Sequence, residues 1–225
     1  MQTQSRLHKA ICSIINSYSE NDSINYLTTL KEASRNCNGE DGNVLYLYDG
    51  QEEYAVLSCD YIAQRIYRKI LWPESNKYED SVASVDACIA PRDDILVFIE
   101  FKDQSIDRSK NEVRKKGIEN WYMLMDMIFS SYSSSNPNEY HDIIEPILDN
   151  PTQYARNSIR YVLVFSADKD PKSAEKVREQ RKAKGKYVPP FMEKIRRHWF
   201  VEAYAVTTDE LERLVVGREE WRGFV

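Results

Sequence analysis

Three side chains on two consecutive apolar segments have the types and spacing for phosphate chemistry. The first segment reads Ser84-Val85-Asp86-Ala87-Cys88-Ile89-Ala90 and the second Ile95-Leu96-Val97-Phe98-Ile99-Glu100-Phe101-Lys102. Strand side chains alternate between faces, so Glu100 and Lys102 project from one side of the second segment while Val97, Ile99 and Phe101 project from the other. A hairpin between the two segments brings Asp86 alongside Glu100. Two converging carboxylates beside a lysine suit a hard divalent cation, because Mg²⁺ takes oxygen ligands, commonly one or two carboxylates completed by water and substrate phosphate. Lys102 would then orient or activate the attacking water, or offset charge that develops on the phosphate. A charged pair at the end of so apolar a strand is costly unless it has a partner or a task. Asp170-Pro171-Lys172 has the same acid-x-Lys spacing but falls in a region that reads as a loop.

Other chemistries find little support. The four cysteines, Cys12, Cys37, Cys59 and Cys88, stand singly with no CxxC or Cys/His ligand spacing, which argues against structural zinc and fits a reducing cytoplasm. There are three histidines, His8, His141 and His198, and the last, next to Trp199 and a basic pair, reads as structural rather than as a general base. With seven glycines and neither GxGxxG nor GxxxxGK[ST], the common nucleotide cradles are missing, and no GxSxG marks a serine nucleophile.

The formal charge of −5 excludes a uniformly basic coat, but the charge is uneven. Residues 168–198 carry 11 Lys/Arg against 5 Asp/Glu. Such a strip can meet a polyanion, and an ordinary solvated helix face gives the same pattern. Lys182, Lys184, Lys186, Arg196 and Arg197 are the candidate phosphate contacts there, with Tyr187 and Trp199 available for stacking, although Trp199, opening an apolar strand, reads as core. A second candidate group is Arg114, Lys115 and Lys116, early in the helix that follows the Glu100–Lys102 strand.

The elements that must hold these residues follow from periodicity. Leu7, Ile11, Ile14, Ile15 and Tyr18 make one face of a first helix, and a second helical piece is expected over Ile24–Ala33. Asn43–Tyr48 reads as a short strand or an irregular approach to the next helix. The stripe Tyr54, Leu57, Tyr61, Ile62, Ile66 and Ile70 predicts a helix over 52–71, ended by Trp72-Pro73. Strands over 82–90 and 95–102, a long helix over about 107–129, a short helix over 140–148, a strand over 161–165, a basic helix from Lys172, a strand over 200–206 and a last helix over 208–216 complete the order. A hairpin, a helical crossover and a further buried strand imply an α/β fold with a mixed sheet flanked by helices. With 225 residues, 42% apolar and 30% charged, the expectation is a single domain: an N-terminal helical extension over 1–42, a core over 52–166, and a basic segment, last strand and C-terminal helix over 167–225. The longest aliphatic and aromatic run, Ile95–Ile99, is far short of the ~20 residues that span a bilayer, and the patch Ile11–Ile15 is too short and polar for a secretory signal.

Asp86, then Glu100-Phe101-Lys102 on the next strand, then a long helix and another strand, resembles the PD-(D/E)XK nuclease superfamily over roughly residues 52–165. That resemblance implies a restriction-endonuclease-like core in which Asp86 and Glu100 bind Mg²⁺, with Mn²⁺ as a substitute, and Lys102 assists phosphodiester hydrolysis. Gln104, at the next position on the same face, matches a polar residue found in some members. Val85 stands where many members have proline. An upstream helix often contributes another glutamate, for which Glu52, Glu53 and Glu79 are the candidates, Glu79 being nearest the strand. The implied function is a Mg²⁺-dependent nuclease acting on DNA or RNA. The alternative is a nuclease-like protein without catalysis that binds nucleic acid or another protein as an inhibitor, immunity or defence component. No membrane partner is expected; a homodimer is allowed.

Overall fold

The computed structural model describes residues 4–18, 26–36, 44–50, 55–71, 82–133, 139–183 and 185–211. In chain order its elements are α1 (Arg6–Ser17), β1 (Leu27–Thr29), α2 (Leu30–Ala33), β2 (Arg35–Asn36), β3 (Leu45–Tyr46), β4 (Ala55–Ser58) and α3 (Cys59–Tyr61). A π-helical stretch (Ile62–Tyr67) carries α3 on into α4 (Arg68–Leu71). There follow β5 (Ala87–Arg92), β6 (Ile95–Lys102), a 3₁₀ turn (Ile106–Ser109), α5 (Lys110–Ser133), α6 (His141–Asp149), α7 (Pro151–Ser158), β7 (Ile159–Phe165), α8 (Pro171–Lys182), α9 (Glu193–His198) and β8 (Glu202–Thr207).

The fold is α/β, with a six-stranded open sheet in the order β1-β4-β5-β6-β7-β8. The pairs β1–β4, β4–β5 and β5–β6 are antiparallel, whereas β6–β7 and β7–β8 are parallel. Parallel neighbours need a crossover, supplied by α5–α7 before β7 and by α8 and α9 before β8. Both central strands are buried along nearly their whole length, which explains why they read as continuous apolar runs.

Alternation sorts the side chains onto two faces. Leu96 and Phe98 of β6, Tyr161 and Leu163 of β7 and Ala203 and Ala205 of β8 enter the larger core, which the helices α1, α5 and α6 cover. Val97, Ile99 and Phe101, with Val162, Val164, Tyr204 and Val206, enter a smaller core closed by Leu30, Tyr48 and Leu211. By parity Glu100 and Lys102 emerge on the larger-core side, under α5.

The first helix is part of that core. Its stripe Leu7, Ile11, Ile14 and Ile15 is buried as the spacing predicts. Ser5 caps it by accepting the His8 N–H at 3.1 Å and ties it to β5 by donating to the Ala90 carbonyl at 2.6 Å. Asp93, in the β5–β6 turn, accepts the Arg6 N–H at 2.6 Å.

Several expected elements differ. The second helix is only α2; Leu27–Thr29 ahead of it forms β1, because Val56 and Leu57 offer an edge on which it can pair. The helix expected over 52–71 begins only at Cys59, since Ala55–Ser58 is a strand between β1 and β5. Of the strand expected over 82–90, residues 82–85 lie outside regular structure and Asp86 sits in a bend; the ladder runs from Ala87 to Arg92, with its register shifted near Pro91, which cannot donate. Helices α7 and α9 were not expected; α7 starts where Asn150 accepts the Gln153 N–H at 2.9 Å with Pro151 in its first turn. Helix appears at 208–211; the remainder of the last predicted helix lies outside the described residues.

Candidate active site

The strand register carries Asp86 to Glu100. Ala87 pairs with Ile99, so the preceding residue faces Glu100 across the hairpin, and Asp86 Oδ2 accepts the Phe101 N–H at 2.6 Å. The irregular approach to Asp86 is pinned residue by residue. Ala83 N–H donates to Glu119 of α5 at 2.8 Å, and Ser84 Oγ donates to Asp60 of α3 at 2.5 Å.

Helix α5 supplies the other half. Lys116 Nζ lies 2.9 Å from Glu100 Oε1 and 3.7 Å from Asp86 Oδ1, so one ammonium bridges the two carboxylates. Lys102 Nζ lies 2.9 Å from the same Glu100 oxygen and 2.8 Å from Glu112 Oε1. Glu112 is one turn before Lys116 on α5, and their ends are 3.6 Å apart. The cluster is graded from inside to outside: the Glu100 side chain is 0% exposed, Lys102 11%, Lys116 16% and Glu112 50%. Its accessible side is therefore at Glu112.

Burial dominates the electrostatics of the acids. It pushes the Asp86 carboxyl well above the usual carboxylate range, and the neighbouring Glu100 charge pushes the same way, against Lys116 and the Phe101 N–H. Burial also raises Glu100, against the pull of Lys116 and Lys102. Burial is the largest single effect on both lysines and opposes their charge, but the acids together outweigh it, Glu100 with Glu112 at Lys102 and Glu100 with Asp86 at Lys116, and both ammoniums are held above their ordinary range. Asp60 adds to this field, raising Asp86 and Lys116 further.

Asp86, Glu100 and Lys102 thus meet as their spacing implies. Asp60, Glu112 and the inward reach of Lys116 were not foreseen. The signals available were the Glu112/Lys116 spacing on one helix face and an aspartate following a strand-like Ala-Val-Leu-Ser run. Glu52, Glu53, Glu79 and Lys184 lie outside the described residues. Gln104 lies beyond the strand end, its amide donating to Ser109 Oγ at 2.8 Å. Asp170, in the second acid-x-Lys sequence, is the N-cap of α8.

The basic candidates divide. Arg114 is exposed but gives its Nε–H to the Phe191 carbonyl at 2.8 Å, packing α5 against the segment before α9. Lys115 is exposed, 3.7 Å from Glu119. Lys182 is exposed at the end of α8. Lys186 is bonded to both oxygens of Glu202 at 2.8–2.9 Å and lies over the Tyr204 ring. Arg196 and Arg197 both bind Glu193, and Lys176 lies over the ring of Tyr187, which is half-buried. Trp199 corrects an expectation: it is 41% exposed, because β8 begins three residues later and leaves it outside the ladder. His198 is also exposed, and its carbonyl accepts from Arg156.

Among the described residues no three His, Cys, Asp or Glu side chains gather into a ready-made metal cage. Asp86 and Glu100 nevertheless fit the requirement for Mg²⁺, which uses one or two carboxylates and leaves the remaining positions to water and phosphate. They are hard oxygen donors, desolvated, held by hairpin register and already sharing a cation, the Lys116 ammonium. Among the described residues no helix is long and apolar enough to cross a membrane. Compared with known proteins, the chain matches no family model, no curated protein and no solved structure.

Proposed function

We propose that the protein is a Mg²⁺-dependent nuclease of the PD-(D/E)XK kind, hydrolysing phosphodiester bonds of DNA or RNA. The observation that carries this reading is the convergence of Asp86 and Glu100 on one cation position, with Lys102 on the same Glu100 oxygen. Asp86 and Glu100 would hold the metal. When bound, Mg²⁺ supplies positive charge to the phosphate oxygens and acidifies water. Lys102 stands at the strand end between the buried glutamate and the exposed Glu112, so its ammonium is positioned to orient a water or to offset charge on the phosphate. Glu112 and Glu100 hold that ammonium in one place, which limits the reorganisation the reaction requires.

Plasmid and single-strand cleavage in Mg²⁺, Mn²⁺ and EDTA test the reading. Cleavage is expected with either metal, none in EDTA, and a loss of about 10²–10³-fold in a folded Lys102→Ala protein. Absence of cleavage, or cleavage unaffected by EDTA, overturns it. One observation favours the alternative of a non-cleaving protein on this scaffold that binds nucleic acid or another protein: the carboxylates are already ion-paired with both lysines. Nucleic-acid binding without metal uptake or cleavage would establish that alternative.

A further inference from the structure

We propose that Lys116 is the site's own stand-in for the divalent cation, so that metal uptake requires its ammonium to leave. This deepens the metal-dependent reading and rests on it. Lys116 Nζ is 2.9 Å and 3.2 Å from the two Glu100 oxygens and 3.7 Å from Asp86 Oδ1. A Mg²⁺ ion bound to the same carboxylates sits about 2 Å from their oxygens. It would fall in the space the ammonium fills, and two adjacent positive centres in a buried site repel strongly. Lys102 is not in the same position. It touches Glu100 from the strand end and makes its other contact with Glu112, not with Asp86.

Lys116 also has somewhere to go. Glu112 Oε1 is 3.6 Å away, on the side chain that marks the accessible side of the cluster. A rotation of the flexible lysine stem toward Glu112 exchanges a buried carboxylate for an exposed one and leaves a point charge at the mouth, where phosphate arrives. Without the metal, the same lysine adds a second cation beside the buried Glu100, already paired with Lys102, and gives the partly buried Asp86 a cationic neighbour at 3.7 Å. The arrangement keeps the fold intact without metal and makes cation binding competitive.

The test compares wild type with Lys116→Met by calorimetric titration with MnCl₂ at one alkaline pH and by thermal unfolding in EDTA and in saturating Mn²⁺. In EDTA the variant is expected to unfold roughly 10 °C below wild type, because a buried charge pair is broken. Mn²⁺ should close most of that gap, giving the variant the larger metal-induced shift. Its Kd should be tighter by about tenfold, since no ammonium holds the site. Mn²⁺ uptake by the variant alone supports the inference in its strongest form, with Lys116 blocking the wild-type site. Equal Kd values and equal shifts in the two proteins show metal and lysine coexisting; they overturn this inference and leave the metal site standing. No uptake by either protein overturns both. If the Met variant folds in neither condition, Lys116→Arg decides: its two-pronged grip on a carboxylate is harder to displace, so Mn²⁺ binding should weaken several-fold, and an unchanged Kd overturns the inference.

Discussion

Gly117 of α5 lies directly over the ring of Tyr161 on β7: a Cβ at Gly117 would come within 2.7 Å of Tyr161 Cε1. The ring is fully buried and its hydroxyl donates to the Val113 carbonyl at 2.9 Å, one turn back along the same helix. The missing side chain lets α5 approach the sheet closely enough for Lys116, the preceding residue, to reach Glu100. Gly117→Ala therefore sets two effects against each other. Alanine gains about 1 kcal/mol of helix propensity, and overpacking against a fixed aromatic costs about 1–3 kcal/mol. The clash is with a ring anchored at both ends, so overpacking should win. A lower urea midpoint is expected; a raised midpoint would show that α5 does not depend on this close approach.

Asp86 destabilises the fold it serves. Its carboxyl is raised because burial and Glu100 outweigh Lys116 and the Phe101 N–H, so the native state holds its proton more tightly than the unfolded chain does. Stability then falls as pH rises from the unfolded value near ~4 through the raised native value, and the loss is complete above it. Asp86→Asn removes the charge while its amide oxygen can still accept the Phe101 N–H. In EDTA at neutral pH the variant should have the higher urea midpoint, with the difference shrinking as pH falls towards and below about 4, because the aspartate becomes protonated in both states only below its unfolded value. Cleavage should be lost. Midpoints that differ equally at both ends of the pH range would refute the assignment.

How far these relationships could be read from sequence depends on whether they are local. Glu100 and Lys102 end an eight-residue strand whose parity alone settles their common face. Asp86 needs only the hairpin register in addition. Lys116 is different: its place depends on the distance between α5 and the sheet, which Gly117 and Tyr161 set together, and they are 44 positions apart. Asp60 was hidden by periodicity, since Tyr54, Leu57, Tyr61 and Ile62 fit one helical stripe although Ala55–Ser58 pairs as a strand. Trp199 shows the same effect in reverse, since its apolar neighbourhood reads as strand although the ladder begins only at Glu202.

Asp170 joins the element ahead of α5 to the start of α8. Its carboxylate accepts the Ser173 N–H at 3.2 Å, capping α8, and the Ile106 N–H at 3.1 Å in the 3₁₀ turn. Burial opposes the charge, but these backbone donors outweigh it and hold the carboxyl below its ordinary range. A depressed acid contributes stability above the unfolded pKa of about 4 and loses it as pH falls through the native value. Asp170→Ala leaves both N–H groups without their acceptor and should cost about 2 kcal/mol at pH 7, with a smaller cost in acid. Chemical denaturation at pH 7 and pH 3 measures both. A loss that grew in acid would show that the carboxylate's charge is not what holds these elements.

The basic residues make a prediction that separates solvent-facing charge from charge already used inside the fold. Lys115 and Lys182 are exposed, and the Lys115–Glu119 separation of 3.7 Å is a weak surface pair. Lys186 is bonded to both Glu202 oxygens and covers the Tyr204 ring, so moving it to a phosphate would break a partly buried pair. If nucleic acid lies across this surface, each exposed lysine that neutralises a phosphate releases a counterion, and log Kd against log[KCl] should flatten by about 0.9 for each one replaced by alanine. Lys115→Ala and Lys182→Ala should weaken binding to the same degree for unrelated sequences, because phosphate contacts carry no sequence information. Lys186→Ala should leave the salt slope unchanged and lower thermal stability instead. Fluorescence anisotropy over a KCl series with two unrelated oligonucleotides reads all of this, and slopes that respond to Lys186 but not to Lys115 or Lys182 would move the interface to another face of the sheet.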